Sequence, residues 1–332
     1  MRLGSISLWG AGLQAFRDEV RLAEELRYEV IGVGDSPIAY HELYVSLTVA
    51  AQETQRAILA PTVTTPFLRH PVATALAISS LYDLSGGRVV LTIASGGGVA
   101  AGIGRKAASM RELREYILAL RALLDGKPIS WDGGTVVPLA HARKVPIYVG
   151  ADGPQALRLA GEVADGVLMQ VGSSMERVDA KIAALHAAAR EARRDPDAIE
   201  VWAMSYCSVR PTREAAIADV TAFLAVNAGL GMRQKHLSAL VPDELAPQIA
   251  EMQRRYDPAQ HAVVGGANAR LLEELGLVDF MAGLFAIAGT PEEVAERVRA
   301  LGRCGVSCLF VALPGHADPL GQLRRMNDAA RR

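Results

Sequence analysis

The chain has few aromatic residues. Three Trp, eight Tyr and six Phe make 5% of 332 residues, which argues against the stacking platforms that hold single-stranded nucleic acid. Net charge is equally scarce: 35 Lys and Arg against 36 Asp and Glu leave −1. A near-neutral chain offers no electrostatic footprint for nucleic acid or for an anionic membrane. The three cysteines, Cys207, Cys304 and Cys308, cannot close a disulfide framework and none forms a CxxC pair, so they read as small buried hydrophobes of a cytoplasmic protein. The longest uncharged run, between Arg88 and Arg105, is broken by glycines and falls short of the roughly 18–20 residues of a membrane span. The N-terminal MRLGSISLWGAGLQAF lacks the uninterrupted apolar region of a signal peptide.

Catalytic signatures are missing as well. There is no HExxH, no GxSxG elbow and no GxxxxGKS phosphate loop. The histidines are scattered singly, which leaves a protein-built metal site unsupported. No pair of acids suits glycoside chemistry, and no lysine stands at a strand end for a Schiff-base lyase or aldolase.

What is present is an alternation. Half the residues are hydrophobic and 21% are charged, enough apolar surface for a large core. Short β-branched runs alternate with segments of helical spacing, such as Leu13 to Arg27 with Phe16, Val20, Ala23 and Leu26 on one stripe. The pattern predicts eight strands, near 2–9, 30–34, 57–63, 88–94, 146–150, 166–171, 200–209 and 307–313. Thr290 before Pro291, with Glu293 following, predicts a capping box, and Ser109 with Glu112 and Ser173 with Glu176 repeat it. Eight βα units in 332 residues predict an α/β protein, a single (β/α)8 TIM barrel over 1–332. The stretch from about 230 to 288 is too long for a simple connection and reads as a helical insertion after strand 7.

In such a barrel the site forms where strands end. Those positions hold Trp9 and Gly10, then Asp35 and Ser36, then Thr62 to Thr65. Further round come Ser95 with Gly96 to Gly98, Gly150 to Gly153, Gln170 with Gly172, and His316. Glycines there permit tight turns or close backbone approach to a ligand. The loop at Asp152 and Gly153 leads straight into a helix, whose free amides favour phosphate. Asp35, without an obvious partner acid, reads as structural or cofactor-facing. Gly-rich walls without a catalytic constellation imply that a cofactor supplies the chemistry.

Four stretches carry a resemblance: TVTTPFLRHP (Thr62 to Pro71), LSGGR (Leu84 to Arg88), VGADGPQALRLAGEVADGV (Val149 to Val167) and AIAGTPEEVAERVRALGRCGV (Ala286 to Val306). In family order and over most of the chain, they resemble the luciferase-like oxidoreductases that bind FMN or the deazaflavin F420. The similarity is greatest to the methylenetetrahydromethanopterin reductase-like subgroup. The resemblance implies hydride transfer between F420 and a small organic substrate, with an FMN-dependent monooxygenase or a non-catalytic flavin-binding homologue as alternatives. It also implies a homodimer and a non-prolyl cis peptide at Thr62–Val63 that presses backbone against the cofactor ring.

By the same resemblance, Asp35, Ser36, Thr62, Val63, Thr64, Ser95, Gly96, Gly150, Ala151, Asp152, Gly153 and Gln170 contact the cofactor. The chain departs from the subgroup in carrying TTP at Thr64 to Pro66, Gly97 and Gly98 after strand 4, and Ser36 where relatives often have His. Tyr40 and His41 are therefore the candidates for proton transfer. Trp9, His316 and Tyr256 are the substrate-pocket candidates, and Tyr256, Asp257, His261 and Asn268 belong to a segment that reads as a lid.

Overall fold

The computed structural model describes residues 1–7, 12–37, 39–313 and 317–332. The chain divides into two units. The first comprises Arg2–Met169 and Ala183–Trp202; the second comprises Gln170–Ile182 and Ala203–Arg332, together with Met1.

The first unit alternates strand and helix as the sequence predicts: β1 (Arg2–Ser7), α1 (Leu13–Glu25), β2 (Val30–Val33), α2 (Leu43–Glu53), β3 (Ile58–Pro61), α3 (Pro71–Ser85) and β4 (Leu91–Ile93). A short α4 (Gly97–Gly102) precedes α5 (Met110–Leu124). The antiparallel hairpin of β5 (Ile129–Trp131) and β6 (Gly134–Val136) follows, then β7 (Ile147–Gly150), α6 (Pro154–Val163), β8 (Gly166–Gln170) and α7 (Met175–Glu191).

Six of these strands pair in parallel in the order β1-β2-β3-β4-β7-β8. Gly4 faces Val30, Val30 faces Ile58, Leu91 faces Ile147 and Tyr148 faces Gly166, while single bridges at Leu59–Val89 and Thr64–Ile93 join β3 to β4. Residues 3–7, 30–33, 91–93 and 147–149 are buried along their whole length. That is why 30–33 and 147–149 read as continuous apolar runs rather than alternating ones, whereas β1 buries Ser5 and Ser7 among its apolar residues.

Local chemistry sets the helix ends. Ser109 and Glu112 form the predicted capping box of α5, Glu42 caps α2, and Pro71 opens α3. The LSGGR motif ends α3: Gly86, at φ 68°, takes the left-handed cap that only glycine adopts without cost. Arg88 then ties the turn down, donating to the carbonyls of Ser85, Ala57 and Thr54.

One carboxyl in this unit is out of place energetically. Burial, only partly offset by a hydrogen bond from Ser7, pushes Glu19 on α1 from 4.5 up to about 7. Between those values the folded chain holds a proton that the unfolded chain has lost. The stability contribution is therefore full below about 4.5 and falls as pH rises to about 7. Glu19→Gln is expected to add about 1–2 kcal/mol, or about 2 °C in Tm, at pH 8 and almost nothing at pH 4. Thermal melts across that range check it.

The second unit holds most of β9 (Glu200–Val209), then α8 (Arg213–Gly229), α9 (Lys235–Ser238), α10 (Ala246–Arg255), α11 (Ala267–Glu274) and α12 (Val278–Phe285). It closes with β10 (Ala286–Gly289), α13 (Pro291–Arg303), β11 (Cys308–Ala312) and α14 (Pro319–Ala330). Helices α9 to α12 are the predicted insertion. Strand β10 was not expected: AIAG is too short to carry a period, yet it pairs in parallel with β9, Ala286 opposite Tyr206. Thr290 and Glu293 form the predicted box at α13.

The segment Arg213–Arg233 is long and apolar enough to cross a membrane and is half buried; Asp219 breaks the uncharged run that a sequence scan looks for. Its apolar residues Ala216, Val220, Leu224 and Ala228 pack in a core with Met252, Leu272 and Phe285. The three cysteines are free thiols, and burial pushes Cys207 up to about 12.

Candidate active site

The site lies in the first unit, after β2 and β3. β3 pairs with β2 as far as Pro61, and Thr62 N–H still donates to the Val33 carbonyl at 2.7 Å. The Thr62–Val63 peptide is cis. The chain then leaves β2 and joins β4: Thr64 N–H donates to Thr92 O at 3.1 Å, and Ala94 N–H to Thr64 O at 3.0 Å. The bulge formed there is the handover from one neighbour to the other.

Two glycines let neighbouring side chains pack tightly against it. A Cβ on Gly150 would stand 2.9 Å from Ala94 Cβ and 3.3 Å from Val63 Cγ1, and one on Gly96 would stand 2.4 Å from Thr65 Cγ2. The hydroxyls of Thr62 and Thr65 are buried with no partner among the described residues. An unmet buried hydroxyl costs about 1–3 kcal/mol, so two of them at the bulge suit a ligand with a polar edge.

Asp35, 6% exposed, is held from two sides. Thr64 Oγ1 donates to Oδ2 at 2.6 Å, and Arg69 donates to Oδ2 at 2.6 Å and Oδ1 at 3.1 Å. Arg69 also donates to Glu42 Oε1 at 2.6 Å. Burial works against the Arg69 charge, but the bonds and charges of Asp35 and Glu42 outweigh it and hold the guanidinium protonated above its ordinary value. Its cation lies 5.2 Å from the centroid of the Tyr44 ring. The Tyr44 hydroxyl, buried and without a partner among the described residues, is pushed far above its usual range by burial.

A cavity of about 330 Å³ opens here, lined by Asp35, Pro37, Tyr40, His41, Glu42, Leu68 and Arg69. A slightly larger one, about 380 Å³, lies among Arg121, Asp125, Lys144 and Asp165. Val145 and Pro146, which line it, precede β7, so it sits at the strand starts, the end of a βα fold that serves stability.

Most predicted residues of the first unit thus fall at the strand ends as expected. Asp35, Tyr40 and His41 line the cavity, and the Ser36 carbonyl anchors the turn before Tyr40, accepting from Ala39 and Tyr40 N–H at 3.0 and 2.9 Å. Thr62, Val63, Thr64, Gly96 and Gly150 build the bulge and its surroundings. The Ser95 carbonyl accepts from Ala108 N–H at 2.9 Å. Ala151 is buried, Asp152 follows, and Gly153 is the N-cap of α6, which as glycine supplies no side-chain cap.

Gln170 belongs to the second unit, where its carbonyl accepts from Lys181 at 2.7 Å. Tyr256 is not a pocket wall there. It packs in the helical core, its ring against Gly229, and its hydroxyl bonds to His261 Nδ1 at 2.8 Å. Asn268 ties down Asp257 through both of its backbone groups. Trp9 and His316 lie outside the described residues. Among the described residues no cluster of His, Cys, Asp and Glu is fit to hold a metal.

Sequence reasoning passed over Glu42, Tyr44 and Arg69. Arg69 lies inside the TVTTPFLRHP stretch, but its pairing with a residue 34 positions away leaves no local signal.

Residues 1–308 match the model of a family described as luciferase-like monooxygenase. The chain is 31% identical over 306 residues to the 5,10-methylenetetrahydromethanopterin reductase of Methanolobus tindarius, covering 89% of this chain and 88% of that protein. It is 30% identical over 283 residues to an F420-dependent glucose-6-phosphate dehydrogenase of Nakamurella multipartita, covering 81% and 76%. The solved coenzyme F420 dependent tetrahydromethanopterin reductase of Methanopyrus kandleri superposes with a TM-score of 0.79 at 25% identity, over 98% of this chain and 97% of that one. The fold is accordingly the (β/α)8 barrel that the alternation predicted, and the chain belongs to the luciferase-like monooxygenase family.

Proposed function

We propose that this chain is an F420-dependent oxidoreductase, one barrel domain over 1–332, that moves a hydride between F420 and a small organic substrate. The observation that carries this reading is the pair of buried, orphaned hydroxyls of Thr62 and Thr65 where the chain passes from β2 to β4. Two proteins similar over most of the chain's length, a glucose-6-phosphate dehydrogenase and a solved tetrahydromethanopterin reductase, are named as F420 dependent. When bound, the deazaflavin supplies the hydride chemistry.

The chain's own residues bind and orient. Thr62, Val63 and Thr64 form the surface for the ring, Gly96 and Gly150 let Thr65, Val63 and Ala94 pack close behind it, and the Thr62 and Thr65 hydroxyls bond its polar edge. Ser36, Ser95 and Gln170 contribute further cofactor contacts. Ala151, Asp152 and Gly153 hold a phosphate at the N-terminus of α6. Asp35 accepts hydrogen bonds at the rim. Tyr40 and His41 hold or move the proton that accompanies hydride transfer, and Trp9 and His316 meet the substrate.

The protein works as a homodimer, with the exposed Val45 on α2 and Leu76 on α3 as apolar surface for the contact. The free thiols suit a reducing cytoplasm.

Fluorescence titration tests the assignment. F420 is expected to be quenched with a micromolar or tighter Kd and FMN to bind at least about tenfold more weakly, a difference of about 1.4 kcal/mol. Tighter binding of FMN favours the monooxygenase, binding of neither removes the proposal, and F420 binding without turnover on a broad panel of acceptors favours a non-catalytic homologue.

A further inference from the structure

One guanidinium grips both ends of the segment that carries Tyr40 and His41. The segment starts at Asp35 and finishes at Glu42. Arg69 donates to both carboxylate oxygens of Asp35, at 2.6 and 3.1 Å, and to Glu42 Oε1 at 2.6 Å. Glu42 turns its other oxygen to α2, accepting from Val45 N–H at 2.9 Å. Between the two anchors, Ala39 and Tyr40 N–H both donate to the Ser36 carbonyl, so the span is folded on itself and closed off by the ion pairs.

Arg69 is held in turn. The Tyr116 hydroxyl donates to its carbonyl at 2.9 Å and shares a hydrogen bond with Thr74 Oγ1 at 2.7 Å. Tyr116 and His70 each meet the ring of Trp131 edge-on, at 5.9 and 6.1 Å. A planar fork of donors serves two carboxylates at once, whereas the point charge of a lysine serves one.

We propose that Arg69 is a positioning residue, a staple across the Asp35–Glu42 segment that presents Tyr40 and His41 to the cavity. Its cofactor consequence rests on the function proposed above; the staple itself does not. The wild-type full-length protein is compared with Arg69→Lys, Glu42→Gln and the double variant. Lys keeps a charge beside Asp35 without the reach to Glu42. Gln keeps the acceptor that caps α2 and removes the anion that Arg69 binds.

Amide hydrogen exchange without cofactor is expected to speed up about tenfold at Ala39 and Tyr40 in each single variant, with β2 amides unchanged. The double variant should be no faster than the faster single one, because both substitutions cut the same link. F420 binding, which a purely structural role would leave alone, is expected to weaken three- to tenfold in either single variant and no further in the double. Unchanged exchange at Ala39 and Tyr40, or additive effects in the double variant, overturns the staple. Failure of the wild type to bind F420 overturns the proposed function instead and leaves the staple to be judged by exchange alone.

Discussion

Asp35→Ala is expected to lower Tm by about 3–6 °C and to weaken F420 binding by at least about tenfold. The carboxylate is almost wholly buried and takes three donors, one from Thr64 and two from Arg69. Removing it leaves the Thr64 hydroxyl without its acceptor and a guanidinium whose side chain is only 19% exposed with Glu42 as its remaining carboxylate. Breaking one partner out of a buried pair costs about 3–5 kcal/mol; the exposed Glu42 retains part of that, so about 2–4 kcal/mol is expected here.

The double variant Asp35→Ala/Arg69→Met separates stability from binding. With both charges gone it should melt above Asp35→Ala alone, since an apolar pair replaces a stranded cation. F420 binding should stay weak, because the rim acceptor and the Arg69 staple are both missing. Recovery of binding along with stability would assign Asp35 to the scaffold alone.

Gly153→Glu is expected to abolish F420 binding, a loss of at least about 100-fold, with no loss of stability. Gly153 sits at φ −93°, ψ 160° as the N-cap of α6 and, as glycine, supplies no side-chain cap to that helix. That backbone is open to any residue, so the substitution introduces no strain. A carboxylate at the helix start favours the helix by about 0.3–1 kcal/mol through its dipole and free amides. The same carboxylate occupies the position proposed for the phosphate and repels it. A variant with unchanged or raised Tm and no fluorescence quenching fits that placement; an unchanged Kd puts the phosphate elsewhere. Melting curves and titrations on one preparation supply both readings.

Much of the scaffold was legible because it is written locally. Strands buried on both faces favour apolar runs, and helices show an apolar stripe, a cap, or both. Leu13 to Arg27, Ser109 with Glu112 and Thr290 with Glu293 could therefore be placed from spacing alone, and the structure finds them there. The bulge was legible only through resemblance, since nothing in TVTTP by itself distinguishes a cis bond from a trans one. Strand β10 escaped because four small residues carry no period. Tyr256 was misplaced because an aromatic in a long insertion reads equally as a lid or a core residue. What decides it is Gly229, 27 positions earlier, whose missing side chain leaves the space that the Tyr256 ring fills.

The sequence by itself determined the fold class, the strand ends where chemistry gathers, and the family, because each depends on short-range pattern or on motifs kept in order. Only the tertiary structure decided which charges meet. Asp35, Glu42 and Arg69 come from the loop after β2, the cap of α2 and the loop before α3, and one guanidinium joins them because parallel pairing of β2 with β3 brings those loops to the same edge. An ion pair across 34 residues has no period and no local propensity. Its energy comes from burial and from the fixed fork of the arginine, and neither exists until the chain has folded.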